Sequence, residues 1–218
     1  MENYNVDLSK RVTIYTTTEA SNSLPIDGVY SIPLESEGTE SGRTTSVVEY
    51  AAGSTFQSRS HPLGEEIFVL EGIYSDENED YPTGTYLRIP PGTSHKSFSK
   101  KGCKIFVKLN QMDVDDKKKV VIDTNKTIWH PGYGKLKVIP LSENTALVMW
   151  PKGSRFLDHS HYGGEEILVI KGEFIDEHGH YPKGTWIRSP HLSRHNPFVE
   201  EETIIFVKTG HLFIDTVS

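Results

Sequence analysis

Short runs rich in Val, Ile, Phe and Tyr recur along the chain at residues 46–50, 66–70, 85–89 and 104–109. A second set falls at residues 146–150, 166–170, 185–189 and 203–208. Clusters of Gly, Pro, Asn and Asp divide these runs at intervals of roughly 10–20 residues, the signal of strands joined by turns. No stretch keeps a helical apolar period through three turns. The pattern predicts an all-β protein built as sandwiches or barrels.

The two sets of runs are copies of one another. Shifting the sequence by 100 residues aligns 53–110 with 153–210 without a gap, and 25 of the 58 positions are identical. The shared residues include His61/His161, Glu65/Glu165, Gly72/Gly172, Asp76/Asp176, Gly84/Gly184, Arg88/Arg188, Pro90/Pro190 and His95/His195. A period of this length is that of a small domain rather than of a solenoid unit. A tandem duplication is therefore expected, with an N-terminal domain at residues 1–112 and a C-terminal domain at residues 113–218. Near the junction, residues 111–125 contain Asp113-Val114-Asp115-Asp116-Lys117-Lys118-Lys119, read as a solvated connector. The lysines fall where a calcium loop needs oxygen ligands, so that alternative is set aside.

Composition narrows the function classes. With 30 acidic and 23 basic residues the formal net charge is −7, a poor match for a phosphate backbone, and direct nucleic-acid binding is not expected. No apolar run is long enough for a transmembrane helix, and the N-terminus lacks the basic and apolar regions of a signal peptide, so a cytoplasmic protein without membrane contact is expected. The single cysteine, Cys103, excludes an intramolecular disulfide and a cysteine zinc cluster, and is read as a packing residue.

The second copy carries a spacing with chemical content. Gly153 is followed after five residues by His159-Ser160-His161, then Glu165 and Gly172; Gly184, Pro190 and His195 come later. Residues i and i+2 of a strand share a face, so His159 and His161 project together. A turn at Tyr162-Gly163-Gly164 would return Glu165 beside them. His195 joins only if the sheet closes into a barrel. Three imidazoles and one carboxylate suit Fe(II), Mn(II), Zn(II), Ni(II) or Cu(II), one such ion per chain, with two positions open on an octahedral ion. Glu166, Arg188 and His191 are candidate acid–base or ligand-binding groups. Arg88 and Arg188 are read equally as anion sites or structural ion pairs, and His178 and His180 as surface turn residues.

These two motifs, Gly-x5-His-x-His-x3-Glu-x6-Gly and Gly-x5-Pro-x4-His, resemble the paired signatures of the cupin superfamily. The wider wording from His159 to Trp186 resembles more narrowly the cupin domain of ChrR-type anti-sigma factors. The resemblance implies two tandem double-stranded β-helix, jelly-roll barrels. It also implies metal ligands at His159, His161, Glu165 and His195. One departure is Pro190-His191-Leu192, where the family pattern has Pro-x-Gly.

The first copy keeps the spacing as Arg59, His61, Glu65 and His95 but has Arg where the first histidine should be. A guanidinium has no lone pair to donate. A degenerate site filled by an Arg59–Glu65 pair is expected, against the alternative of a three-ligand metal site on His61, Glu65 and His95. Three function classes stay open: a small-molecule-binding sensory or regulatory protein, as the resemblance suggests, a non-haem metal-dependent oxygenase, and a metal-loaded scaffold without turnover. The zinc module with which ChrR-type proteins grip a sigma factor has no counterpart in residues 1–29, which hold neither Cys nor His, so a sigma-factor partner is not expected. A small-molecule ligand is the expected partner, and a homodimer is left open.

Overall fold

The computed structural model describes residues 3–24, 27–39, 41–56 and 59–212, with no helix among them and all strands antiparallel. The alternation read from the sequence becomes two compact units. The first unit comprises Met1–Val6 and Ala20–Thr127, and the second comprises Asp7–Glu19 and Ile128–Ser218. Among the described residues no helix is long and apolar enough to cross a membrane.

In the second unit the large sheet runs in the order Val12–Tyr15, Thr185–Ser189, Glu165–Lys171, Thr203–Thr209, Thr145–Trp150, Lys137–Pro140 and His130–Pro131. Facing it, the ladders His159–Ser160 with Arg194–His195 and Glu173–Asp176 with Gly179–Pro182 build a second layer. Phe198 bridges that layer to Arg155 and Ile175. Strand alternation puts Ile167 and Val169 on one face, where they join Trp150, Phe174, Tyr181, Ile187 and Ile205 in the buried core. Glu165 stands on that same face, at the end of its strand. The opposite face of the strand is buried as well, carrying Glu166 and Leu168.

The first unit repeats this plan. Its sheet runs Val120–Asp123, Thr85–Ile89, Glu65–Ser75, Cys103–Leu109, Thr44–Tyr50, Val29–Ser36 and Asn22–Ser23. Its core joins Tyr50, Ile67, Val69, Tyr74, Tyr81, Leu87 and Ile105, with Cys103 buried among them as a packing residue.

Two short segments cross a division of the chain at residues 112/113. Val12–Tyr15 hydrogen-bonds to Thr185–Ser189, so an N-terminal strand completes the second unit. Val120–Asp123 pairs with Thr85–Ile89 and completes the first. The segment read as a plain connector is therefore exposed at Lys117–Lys119 but becomes a strand immediately afterwards, and its Asp116 lies 2.7 Å from Arg88. For Arg88 the ion-pair reading is the one the structure carries.

Candidate metal centre

Four residues singled out in the second copy meet inside its barrel. His159 lies directly opposite His195 in their short ladder. Two residues on, His161 faces the same way, and the chain then turns back so that Glu165 opens the next strand. That turn needs glycine: Gly163 and Gly164 have φ of 73° and 71°, and a Cβ on Gly163 would lie 2.6 Å from Cα of Gly210. Leu192 takes φ 61° where the first copy has Gly92 at 75°, so the turn survives the loss of its glycine.

Ring nitrogens of His159, His161 and His195, one from each, all lie within 4.8 Å of one another. His161 Nε2 and His195 Nε2 are 3.0 Å apart, and Glu165 Oε2 is 3.6 Å from each. That carboxylate oxygen is buried without a hydrogen-bond partner. The tautomers follow from the outer contacts. His159 Nδ1 lies 2.8 Å from the Leu157 carbonyl, which can only accept, so the proton sits on Nδ1 and the Nε2 lone pair is available. His195 Nδ1 faces the Asp176 carboxylate at 3.4 Å, with the same consequence. Burial, then the neighbouring His195 and His159, push His161 down to about 3, so it is neutral at physiological pH. Burial raises Glu165 to about 7, opposed by His195. Ring nitrogens converging beside an orphaned buried carboxylate oxygen fit a divalent cation, which would replace the proton shared between His161 and His195 and neutralise Glu165 at once.

Behind His195 stands a group that the sequence did not announce. Asp176 Oδ1 accepts from the Tyr181 hydroxyl at 2.8 Å, and its Oδ2 accepts from Arg11 Nη2 at 2.7 Å. Arg11 also reaches Tyr181 at 2.9 Å and Ser189 at 3.2 Å. Burial pushes Asp176 up, but the hydrogen bond to His195 and the Arg11 guanidinium outweigh it and hold the carboxyl below the usual range. Arg11 arrives with the N-terminal strand, far from the motifs in sequence. A spacing within one repeat could not point to it.

In the first unit the equivalent place is filled by hydroxyls. Tyr74, at the position of Phe174, hydrogen-bonds His95 Nε2 at 3.1 Å and Ser97 at 2.7 Å; Ser97 takes the place of Pro197. Glu65 Oε2 lies 3.3 Å from His95 Nε2, and burial raises Glu65 to about 8. The outer contact is missing too, because His95 Nδ1 is buried without a partner and Asp76 instead accepts from backbone N–H groups and Tyr81. The backbone of Arg59 pairs opposite His95 as His159 does opposite His195. Its side chain lies outside the described residues, and with it the expected Arg59–Glu65 pair.

The sequence profile of the ChrR Cupin-like domain matches residues 9–113 and again residues 117–213. The chain belongs to the ChrR Cupin-like domain family. No curated protein sequence matches it. Among solved structures, a provisionally assigned dioxygenase from Nostoc punctiforme is similar at TM-score 0.76 and 16% identity, over 95% of this chain and 86% of that one. A provisionally assigned glyoxylate-induced protein from Pseudomonas aeruginosa gives 0.73 and 13%, over 100% and 95%. A bacterial pirin from Escherichia coli, solved in complex with nickel(II), gives 0.65 and 12%, over 91% and 97%. At such identities the likeness concerns the fold, two tandem cupin barrels.

The other candidates fall outside the cluster of the second cupin barrel. Glu166 faces away from it, accepting from Trp186 Nε1 at 3.0 Å and contacting His211. Arg188 is fully buried on that same opposite face and donates to the Asp7 carbonyl at 2.9 Å. Strand alternation explains both: neighbours of inward residues point outward. His191 sits at the rim, its Nδ1 accepting from the Gly163 N–H at 2.8 Å. His178 and His180 are exposed side chains in and beside the turn of their hairpin.

Proposed function

We propose that the second cupin barrel binds one divalent transition metal through His159, His161, Glu165 and His195, and that a small molecule completes the metal's coordination. The observation that carries the reading is the convergence of ring nitrogens from three histidines on a buried, partnerless carboxylate oxygen. Three neutral imidazoles and one carboxylate leave a divalent ion with one unit of positive charge, which favours an anionic or polarised oxygen donor as the further ligand. A bound metal would supply Lewis-acid polarisation of that ligand. The chain's own groups do the rest. Asp176 keeps the His195 proton on Nδ1, Glu165 offsets the ion's charge, and Phe156 and Phe174 pack against His159 and His195 at 4.4 and 6.1 Å between ring centres.

Family membership points to the ChrR cupin domain and supports a sensory or regulatory protein that responds to its ligand without converting it, acting in the cytoplasm. The test is ligand-induced stabilisation of the metal-loaded protein, measured beside oxygen uptake with the same small diketones, phenolic ketones and thiols. Stabilisation without uptake supports the sensory reading. A second reading, a metal-dependent oxygenase, draws support from the likeness to the Nostoc dioxygenase. It requires metal-dependent uptake that Glu165→Gln abolishes.

A further inference from the structure

Three large apolar side chains stand in solvent beside the histidine cluster: Leu157 is 70% exposed, Tyr162 72% and Leu192 57%. Each is fastened to a histidine of the site. The Leu157 carbonyl holds His159 Nδ1, Tyr162 directly follows His161, and the Leu192 N–H donates to the His161 carbonyl at 2.9 Å. The cluster reaches solvent through the two histidines next to these side chains in the chain, since His159 and His161 are half-buried while Glu165 and His195 are buried. A further aromatic contact extends the rim: exposed Tyr133 packs on Phe156 at 4.5 Å, and Phe156 on His159 at 4.4 Å.

The first copy provides the control. At the matching positions it has Gln57, Pro62 and Gly92, none of them a large apolar group. Leu192 is the most telling of the three, because it holds φ 61°, a conformation that a branched side chain rarely adopts and that glycine takes freely. An exposed leucine kept in that conformation gains nothing from core packing. The charged pair beside it, Asp158 with Arg194 at 2.6 Å, is closed on itself.

We propose that Leu157, Tyr162 and Leu192 form an apolar collar over the metal centre, and that the ligand is a small molecule with an oxygen-donor head and an aryl or alkyl body. The inference rests on the metal reading above and names the ligand class for that site. The oxygen head meets the metal and the body lies against the collar, removing apolar surface of both from water.

Acetohydroxamate and benzohydroxamate test this, since they share a metal-binding head and differ in a methyl against a phenyl body. Both are titrated calorimetrically into the metal-loaded full chain, with metal content measured alongside. The phenyl compound is expected to bind about tenfold more tightly. In the Leu157→Gln/Leu192→Gly variant, which carries the first copy's own residues, that preference falls to about twofold or less while the metal content stays at the level of the unmodified chain. Leu192→Gly alone is expected to raise Tm, because it relieves the left-handed backbone. A preference that is absent in the unmodified protein, or unchanged in the double variant, overturns the collar and leaves the metal reading standing. A chain that takes up no metal overturns the metal reading and the collar with it.

Discussion

At the scale of single residues, the arrangement around His195 fixes how that imidazole is presented. Its Nδ1 proton is directed at Asp176, and Asp176 is held by Arg11 and Tyr181. Outer partners of this kind orient a metal-binding imidazole and raise its basicity. Arg11→Met is therefore expected to weaken metal binding by about 10–100-fold in competition with a chelator, while the fold is retained. Unchanged affinity would show that Asp176 needs no help from Arg11. Glu65 makes a second prediction, in the first barrel. Burial raises it to about 8 from an ordinary 4.5, so the folded chain keeps a proton that the unfolded chain releases. Stability linked to this group is full below the unfolded value and is lost as pH rises through about 8. Glu65→Gln carries no titrating proton and removes that loss. Thermal melts from about pH 5 to about pH 9 should show the variant gaining on the unmodified protein as pH rises; a constant difference would contradict it.

At the scale of elements, the strands were legible wherever branched and aromatic residues cluster between glycines and prolines. The runs at Thr85–Ile89 and Thr185–Ser189, for example, match the observed strands end to end. His159, His161 and Glu165 were legible together from strand alternation and a glycine turn, whereas His195 joined them only through the cupin resemblance, because its place opposite His159 depends on barrel closure. The edge strands were not. Val12–Tyr15 and Val120–Asp123 are four residues each and mostly half-buried, and nothing local names their partners. Val12 pairs with Arg188, a contact that only the folded sheet creates. Tyr74 was passed over for a similar reason: a tyrosine in a strand reads as core until its hydroxyl is found against His95. The edge strand carries a prediction of its own. Ile14 is buried and pairs with Trp186, and Ile14→Pro removes a ladder donor from the strand that delivers Arg11. Metal affinity is expected to fall along with stability. A variant that melts earlier yet binds metal as tightly would separate the strand from the site.

At the scale of the whole molecule, duplication has produced two barrels of one design that differ in what surrounds the glutamate. Both keep a buried carboxylate oxygen without a hydrogen-bond partner, on Glu65 and on Glu165, but the second gathers three imidazoles at it, whereas in the first the Tyr74 hydroxyl meets His95 and Ser97. Restoring the missing donor and removing the hydroxyl, in Arg59→His/Tyr74→Phe, is expected to let the first barrel take up metal as well. An unchanged metal content in a folded double variant would mean that more than these two residues closes that site. The central claim, one metal centre per chain in the second barrel, is tested most directly by elemental analysis of the purified protein and its variants. The account predicts about one equivalent of a divalent transition metal per chain, near zero in His159→Ala and His195→Ala, and no loss in Arg59→Ala. No bound metal in the unmodified chain, or two equivalents, would contradict it.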